Sequence, residues 1–287
     1  MNNYNIKNIK TVAIAGAGTM GAGIAYLFAK AGFVTILFDI SDEQLNKAEK
    51  IITNLLKGAL EKGKIAEHEV GETLSRIGYT NEVRSLTADL IIEAIVEKLD
   101  PKIDFFKKVT AVNNADAILA TNTSSIPVTR LAAALPNPER VVGMHFFNPA
   151  HIMKLVEVIS GAATHRDVAQ VVYDLSLQLD KTPVMTKDAP GFIVNRVARH
   201  YYVEGLKVLE ENVASFETID ELMEASGFKM GPFRLMDLIG VDTNFNVTSS
   251  MFESFHKDPK FRPSRIQQQK VDAGHWGKKT GKGFYEY

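Results

Sequence analysis

The stretch TVAIAGAGTMG, residues 11–21, decides the fold. Thr11–Ala15 is a short β-branched apolar run, as expected of a strand covered on both faces. It leads directly into Gly16-Ala17-Gly18-Thr19-Met20-Gly21, which opens the helical run from Ala22 to Lys30. A G-x-G-x-x-G pattern alone is a weak signal, because runs of small residues are common. Its setting makes it specific: a strand precedes it, a helix follows, and Asp39 stands 18 residues past Gly21 at the end of the next strand. Gly16 permits the tight turn, Gly18 lets the backbone approach a pyrophosphate, and Gly21 lets helix and strand pack closely. With Thr19 and Met20 they form a helix N-terminus whose free N–H groups and partial positive charge attract phosphate.

Asp39 then selects between the nicotinamide dinucleotides. A carboxylate there accepts from the ribose 2′-hydroxyl and repels a 2′-phosphate. Ile40 and Ser41 follow, with no Arg to receive that phosphate, so the expected cofactor is NAD.

Outward from this unit, Val34–Asp39, Leu90–Ile95, Ala117–Thr121 and Val141–Phe146 read as further buried strands separated by helical patterns. The expected fold is α/β, a Rossmann-type, mostly parallel sheet. Between Ser41 and Arg76 the connection is too long for a simple crossover. Leu45, Ala48, Ile52, Leu55 and Ala59 fall at helical spacing, and Gly58 and Gly63 mark a break, which predicts a projecting helical hairpin. Near Lys187–Gly191 the texture changes. Asp188 and Pro190 are set to open a helix, Thr218 and Glu221 read as a capping box, and Gly227 as a stop. A further helix spans about Phe233 to Phe255, with Gly240 as a possible interruption. The expected domains are 1–188, which binds NAD, and 189–287, small and all-helical.

Composition bounds the function. The 287 residues carry 33 Lys+Arg against 34 Asp+Glu, a net charge of −1, so no whole-chain field favours nucleic acid or an anionic membrane. With 0 cysteines, disulfides, thiolate metal sites and a Cys nucleophile are excluded, and no metal is expected. No apolar run reaches the roughly 20 residues of a membrane helix, and the polar start lacks a signal-peptide core. A cytoplasmic protein is expected.

Among the histidines, His145 has the most informative setting, at the C-terminal end of a strand, where open α/β sheets bind ligands. Glu157 follows 12 residues later in the second β-like run, Lys154–Ile159. If the two runs pair as a hairpin, imidazole and carboxylate become neighbours suited to general base chemistry. A hydrogen-bonded core histidine is the other reading. Thr121–Ser125 also follows a strand, and its hydroxyls serve either the crevice or a helix cap. Asn195, in the first turns of the second domain, faces either a cleft or solvent.

Taken together, these stretches resemble the L-3-hydroxyacyl-CoA dehydrogenase family, most closely its stand-alone short-chain members. The likeness runs along nearly the whole chain: GAGTMGAGIA at 16, EAIVE at 93, NTSS at 122, HFFNP at 145, KLVEV at 154, PGFIVNR at 190 and KKTGKGFYEY at the C-terminus. The resemblance implies interconversion of (S)-3-hydroxyacyl-CoA and 3-oxoacyl-CoA with NAD. His145 becomes the base, Glu157 its partner, Ser124 the holder of the substrate oxygen, and Asn195 the contribution of the helical domain. Glu97 and Lys102 are implied along the NAD site, and Asn122 near the nicotinamide. The helical hairpin is where such enzymes meet coenzyme A. Lys50 and Lys57, seven residues apart on one stripe, are either phosphate contacts or a solvated basic face. A homodimer is expected through the helical domain, whose Val197, Tyr201, Leu206 and Leu209 make an apolar stripe. Two rivals stand: a sugar-acid 3-dehydrogenase of the gulonate type on the same scaffold, and a non-catalytic NAD-binding protein.

Overall fold

The computed structural model describes residues 4–287, and the chain divides into two compact units, Met1–Ala189 and Pro190–Tyr287. In the first, chain order runs β1 (Thr11–Ala15), α1 (Thr19–Lys30), β2 (Val34–Phe38), α2 (Asp42–Glu61), α3 (Glu67–Ser75), β3 (Ile77–Thr80), β4 (Leu90–Glu93) and α4 (Leu99–Thr110). It continues with β5 (Ile118–Thr121), α5 (Val128–Ala132), β6 (Val141–Phe146), β7 (Leu155–Ser160), α6 (Arg166–Gln178) and β8 (Thr182–Lys187). The eight strands form one sheet in the order β3-β2-β1-β4-β5-β6-β7-β8. Every neighbouring pair is parallel except β6 and β7. Because β1 pairs with β2 on one side and β4 on the other, the order reverses at β1, where such sheets bind nucleotides. The central strands β4, β5 and β6 are buried throughout, which is why they read as unbroken apolar runs.

Two strands escape the sequence pattern, and both are edges. β3 is four residues long and contains Gly78. β8 holds Pro183, tolerated because an edge strand needs only one ladder. The hairpin of α2 and α3 is present and packs on α1. Its buried stripe is Leu45, Ala48, Ile52, Leu56 and Ala59; Leu55 is only partly buried. Gly58 does not break it, since α2 continues to Glu61 and the turn falls at Gly63, whose φ is +62°.

The second unit contains α7 (Val194–Glu210), α8 (Phe216–Ala225), α9 (Pro232–Ile239), α10 (Val241–Ser254) and α11 (Arg265–Asp272) around a core of Tyr202, Leu206, Ile219, Phe233, Met236, Val241 and Phe284. Several boundaries differ from expectation. Asp188 does not open α7. Its carboxylate accepts the N–H groups of Val128 and Thr129 at 3.1 and 2.7 Å and so caps α5 instead. α8 is capped by Ser215, whose Oγ accepts from the Thr218 N–H, so Thr218 is the third helical residue and not the cap. Gly240, at φ +107°, does split the long helical run into α9 and α10. The apolar stripe expected on α7 is not one exposed surface: Leu206 is buried in the unit's core, whereas Val197 is exposed. No helix among the described residues is long and apolar enough to cross a membrane.

Candidate active site

At the end of β1, Gly16 has φ +97°, and a Cβ there would stand 2.5 Å from the Ala94 carbonyl oxygen. A Cβ on Gly21 would lie 1.6 Å from the Gly16 oxygen. Both positions therefore admit only glycine. α1 starts at Thr19 with no side chain capping its first turn, and nothing lies within 4 Å of where a Gly18 Cβ would be. Gly18 and Thr19 are exposed and Met20 half-buried. This is an uncapped helix N-terminus behind an open loop, the form that receives a pyrophosphate. One residue past β2, Asp39 is locked by two backbone N–H groups, with Oδ2 accepting from Ala17 at 2.8 Å and Oδ1 from Ser41 at 3.0 Å. A carboxylate fixed beside the glycine loop suits a ribose diol. The residues present fit a dinucleotide.

The antiparallel pairing of β6 with β7 makes His145 and Glu157 direct cross-strand partners. Nδ1 of His145 lies 2.9 Å from Oε2 of Glu157, and both residues are buried. The Phe147 ring tilts against the imidazole at 4.6 Å between centroids. A carboxylate on Nδ1 fixes the ring's orientation and tautomer and directs proton exchange through Nε2.

After β5, the loop carrying Asn122 and Ser124 is organised by Glu97. Its Oε1 accepts the Thr123 hydroxyl at 2.6 Å, the N–H groups of Ser124 and Ser125 at 3.0 and 3.1 Å, and the Ser125 hydroxyl at 2.9 Å. Oε2 of Glu97 pairs with Lys102 Nζ at 3.1 Å. Burial pushes the Glu97 carboxyl up, but Lys102 and the hydroxyls outweigh it and leave its pKa below the usual range. Asn122 accepts the Phe146 N–H at 2.8 Å, tying this loop to the residue after His145. Ser124 is half-buried.

Lys102 itself is almost wholly buried, on α4, and its Nζ also reaches Glu93 Oε1 at 2.5 Å. Glu93 ends β4, and its Oε2 accepts the Thr121 hydroxyl at 2.8 Å. Burial raises the Glu93 pKa despite the ammonium beside it. Thr121, Thr123 and Ser125 belong to the hydroxyl cluster read from sequence, whereas Glu93 was given no role there. A carboxylate closing an otherwise apolar strand (LIIE) was the available signal for Glu93.

Asn195 is the second residue of α7, half-buried, in the second unit. Lys50 and Lys57 are both exposed on α2. Beside them on the same hairpin opens a cavity of about 740 Å³, into which Asn54, Gly58 and Lys62 face. Lys30, Lys64, Lys154 and Lys181 also line it, against a single carboxylate, Asp180. It is a basic hollow one stripe away from the expected pair of lysines.

Comparison with known proteins gives a consistent result. Residues 11–189 match the family model for the 3-hydroxyacyl-CoA dehydrogenase NAD binding domain, and residues 191–287 match the model for the 3-hydroxyacyl-CoA dehydrogenase C-terminal domain. The 3-hydroxyadipyl-CoA dehydrogenase of Escherichia coli K12 is 47% identical over 282 residues, covering 98% of this chain; the chain spans 59% of that protein's length. A probable 3-hydroxybutyryl-CoA dehydrogenase of Bacillus subtilis is 41% identical over 97% of this chain and 98% of its own. The crystal structure of (S)-3-hydroxybutyryl-CoA dehydrogenase from Ralstonia eutropha superposes with a TM-score of 0.94 at 40% identity, covering 98% of this chain and 99% of that one.

Proposed function

The chain belongs to the 3-hydroxyacyl-CoA dehydrogenase family, and from that premise we propose that it interconverts (S)-3-hydroxyacyl-CoA, short-chain members such as 3-hydroxybutyryl-CoA among them, and 3-oxoacyl-CoA, with His145 as the acid–base group. The observation that carries this reading is the buried His145–Glu157 pair, 2.9 Å apart at adjacent positions of β6 and β7. NAD, held by the glycine loop and Asp39, supplies the hydride acceptor or donor when bound.

In the oxidation, His145 takes the proton of the 3-hydroxyl as the C3 hydride leaves, and Glu157 stabilises the imidazolium that results. In the reduction, protonated His145 gives its proton to the oxygen forming at C3. Ser124, on the loop that Glu97 fixes, and Asn195 orient the substrate oxygens. Asn122 stands towards the nicotinamide, and Glu97 and Lys102 shape the wall beside it. The phosphates of coenzyme A meet the lysine-lined hollow against α2, with Lys62 better placed than Lys50 or Lys57 because it faces that cavity. A homodimer built through the helical unit completes the reading.

The test is an NADH-oxidation assay over 3-oxoacyl-CoA chains of four to sixteen carbons. Turnover is expected at the short end, and His145→Gln is expected to lower kcat by about 10²- to 10⁴-fold while NADH binding holds. Near-normal turnover in that variant removes His145 from the role; no turnover of any chain overturns the whole reading.

A further inference from the structure

Two carboxylates share one ammonium beside the C-terminal ends of β4 and β5. Glu93 Oε1 accepts from Lys102 Nζ at 2.5 Å and from the Ile95 N–H at 2.8 Å, and its Oε2 accepts the Thr121 hydroxyl at 2.8 Å. Burial works against the charge of Glu93, but each of these contacts brings a donor, and a set of donors wants the ionised carboxylate. Glu97 also meets donors: Lys102 on one oxygen, and the hydroxyl and N–H groups of Thr123, Ser124 and Ser125 on the other. No other cation among the described residues pairs with either carboxylate, so the cluster holds one negative charge in excess. The side chains of Glu93 and Lys102 are sealed from solvent, whereas that of Glu97 is 38% exposed. The surplus charge therefore opens outward through Glu97, at the edge of the sheet where ligands bind.

The strand order gives this charge something to face. Asp39, one residue past β2, is read as taking the adenosine ribose, and the glycine loop after β1 as taking the pyrophosphate. A dinucleotide lies across the point where the strand order reverses. Its second half therefore runs the other way from β1, over β4 and β5. Glu93 is close to that path: its neighbour Ala94 packs on the glycine loop, and the Ala94 carbonyl oxygen is the atom a Cβ on Gly16 would strike. The second half carries the nicotinamide, whose ring is a cation in NAD⁺ and neutral in NADH.

We infer that Glu93, acting through Lys102 and Glu97, sets how strongly the cofactor site prefers the oxidised to the reduced dinucleotide. This rests on the cofactor site as read above. Lys102 divides its charge between two carboxylates. Without the charge of Glu93, Lys102 serves Glu97 alone and the cluster becomes neutral. The cationic ring then loses its counter-charge, whereas the neutral ring has none to lose. Glu93 is sealed beneath the cluster and touches no ligand itself, so it is a positioning residue whose action is electrostatic. The low-dielectric surroundings keep that action from being screened away.

The experiment measures dissociation constants of NAD⁺, NADH and ADP-ribose by calorimetry for the wild type, Glu93→Gln and Glu93→Asp. In Glu93→Gln, which keeps the shape and removes the charge, Kd for NAD⁺ is expected to rise roughly tenfold while those for NADH and ADP-ribose stay within about twofold. Glu93→Asp keeps the charge and is expected to restore most of the wild-type ratio of NAD⁺ to NADH. A loss shared equally by NAD⁺ and NADH marks a merely structural role and overturns the inference. So does an unchanged ratio in Glu93→Gln, or an Asp variant that behaves as the Gln variant does. Should Glu93→Gln not fold, Glu97→Gln removes one charge from the open side of the same cluster, and an unchanged ratio there overturns the inference equally. Failure of the wild type to bind either dinucleotide is a different result: it overturns the cofactor site on which the inference rests.

Discussion

Asp39 and Lys181 show how much a single side chain's surroundings dictate. Asp39 has both carboxylate oxygens engaged by backbone N–H groups, so its charge is held fixed beside the glycine loop. Asp39→Ala is expected to weaken NAD binding and to narrow the preference over NADP, by about tenfold or more. Dissociation constants for the two dinucleotides check this, and an unchanged ratio excludes contact with the ribose. Lys181 illustrates the reverse case. Burial, with repulsion from Lys154, lowers its pKa from 10.5 to about 8, while its Nζ donates to the carbonyls of Ala150 and Met153 at 2.6 and 2.9 Å. Between about 8 and 10.5 the unfolded chain binds the proton more readily than the folded one. Stability therefore rises with pH across that window, and the full penalty applies below it. In denaturant titrations the stability advantage of wild type over Lys181→Met is expected to widen from pH 7 to pH 10; a constant gap contradicts the assignment. The places of His145, Glu157 and Asp39 were legible in the sequence because the first two lie within adjacent strands and the third just past one, at spacings that the pleat and the βα turn convert into positions. Glu93 and Lys102 were not legible as a pair, because their contact depends on how α4 seats against the sheet.

At the level of elements, central strands and α1 could be read because burial on both faces leaves an unambiguous apolar signature. Edges and caps could not, since they depend on partners distant in sequence. Asp188 has the composition of a helix opener and does open a helix, but α5, some 60 residues earlier. Pro183 argues against a strand until the strand is known to be an edge. The α2–α3 hairpin combines both cases. Its apolar stripe was visible almost to the residue, whereas the cavity beside it is lined by Asn54, Gly58 and Lys62 and not by Lys50 or Lys57, because it forms where the loop after β6 and the end of α6 approach. Reversing the charge with Lys62→Glu is expected to raise KM for acyl-CoA substrates about tenfold while KM for NADH stays put. Equal effects on both, or none, would place the coenzyme A phosphates elsewhere.

For the molecule as a whole, the sequence conveyed an α/β unit followed by a helical one, because the change from β-rich to purely helical texture is abrupt. It conveyed less about association. With Leu206 buried inside its own unit, the apolar surface left for a partner includes Val197, Leu222 and Leu238 of the second unit. Light scattering is expected to give twice the 31.7 kDa of one chain; a species of single-chain mass would exclude the homodimer. The second unit is also closed by its last residues. Asp237 on α9 accepts the N–H groups of Phe284 and Tyr285, both at 2.9 Å, and the Tyr287 hydroxyl at 3.2 Å, while Asp220 accepts the Tyr285 hydroxyl. Phe284 is itself part of the core. Residues 284–287 therefore tie α8 and α9 together through two buried carboxylates, Asp220 and Asp237, so removing them strips the unit of a core ring and of four hydrogen bonds at once.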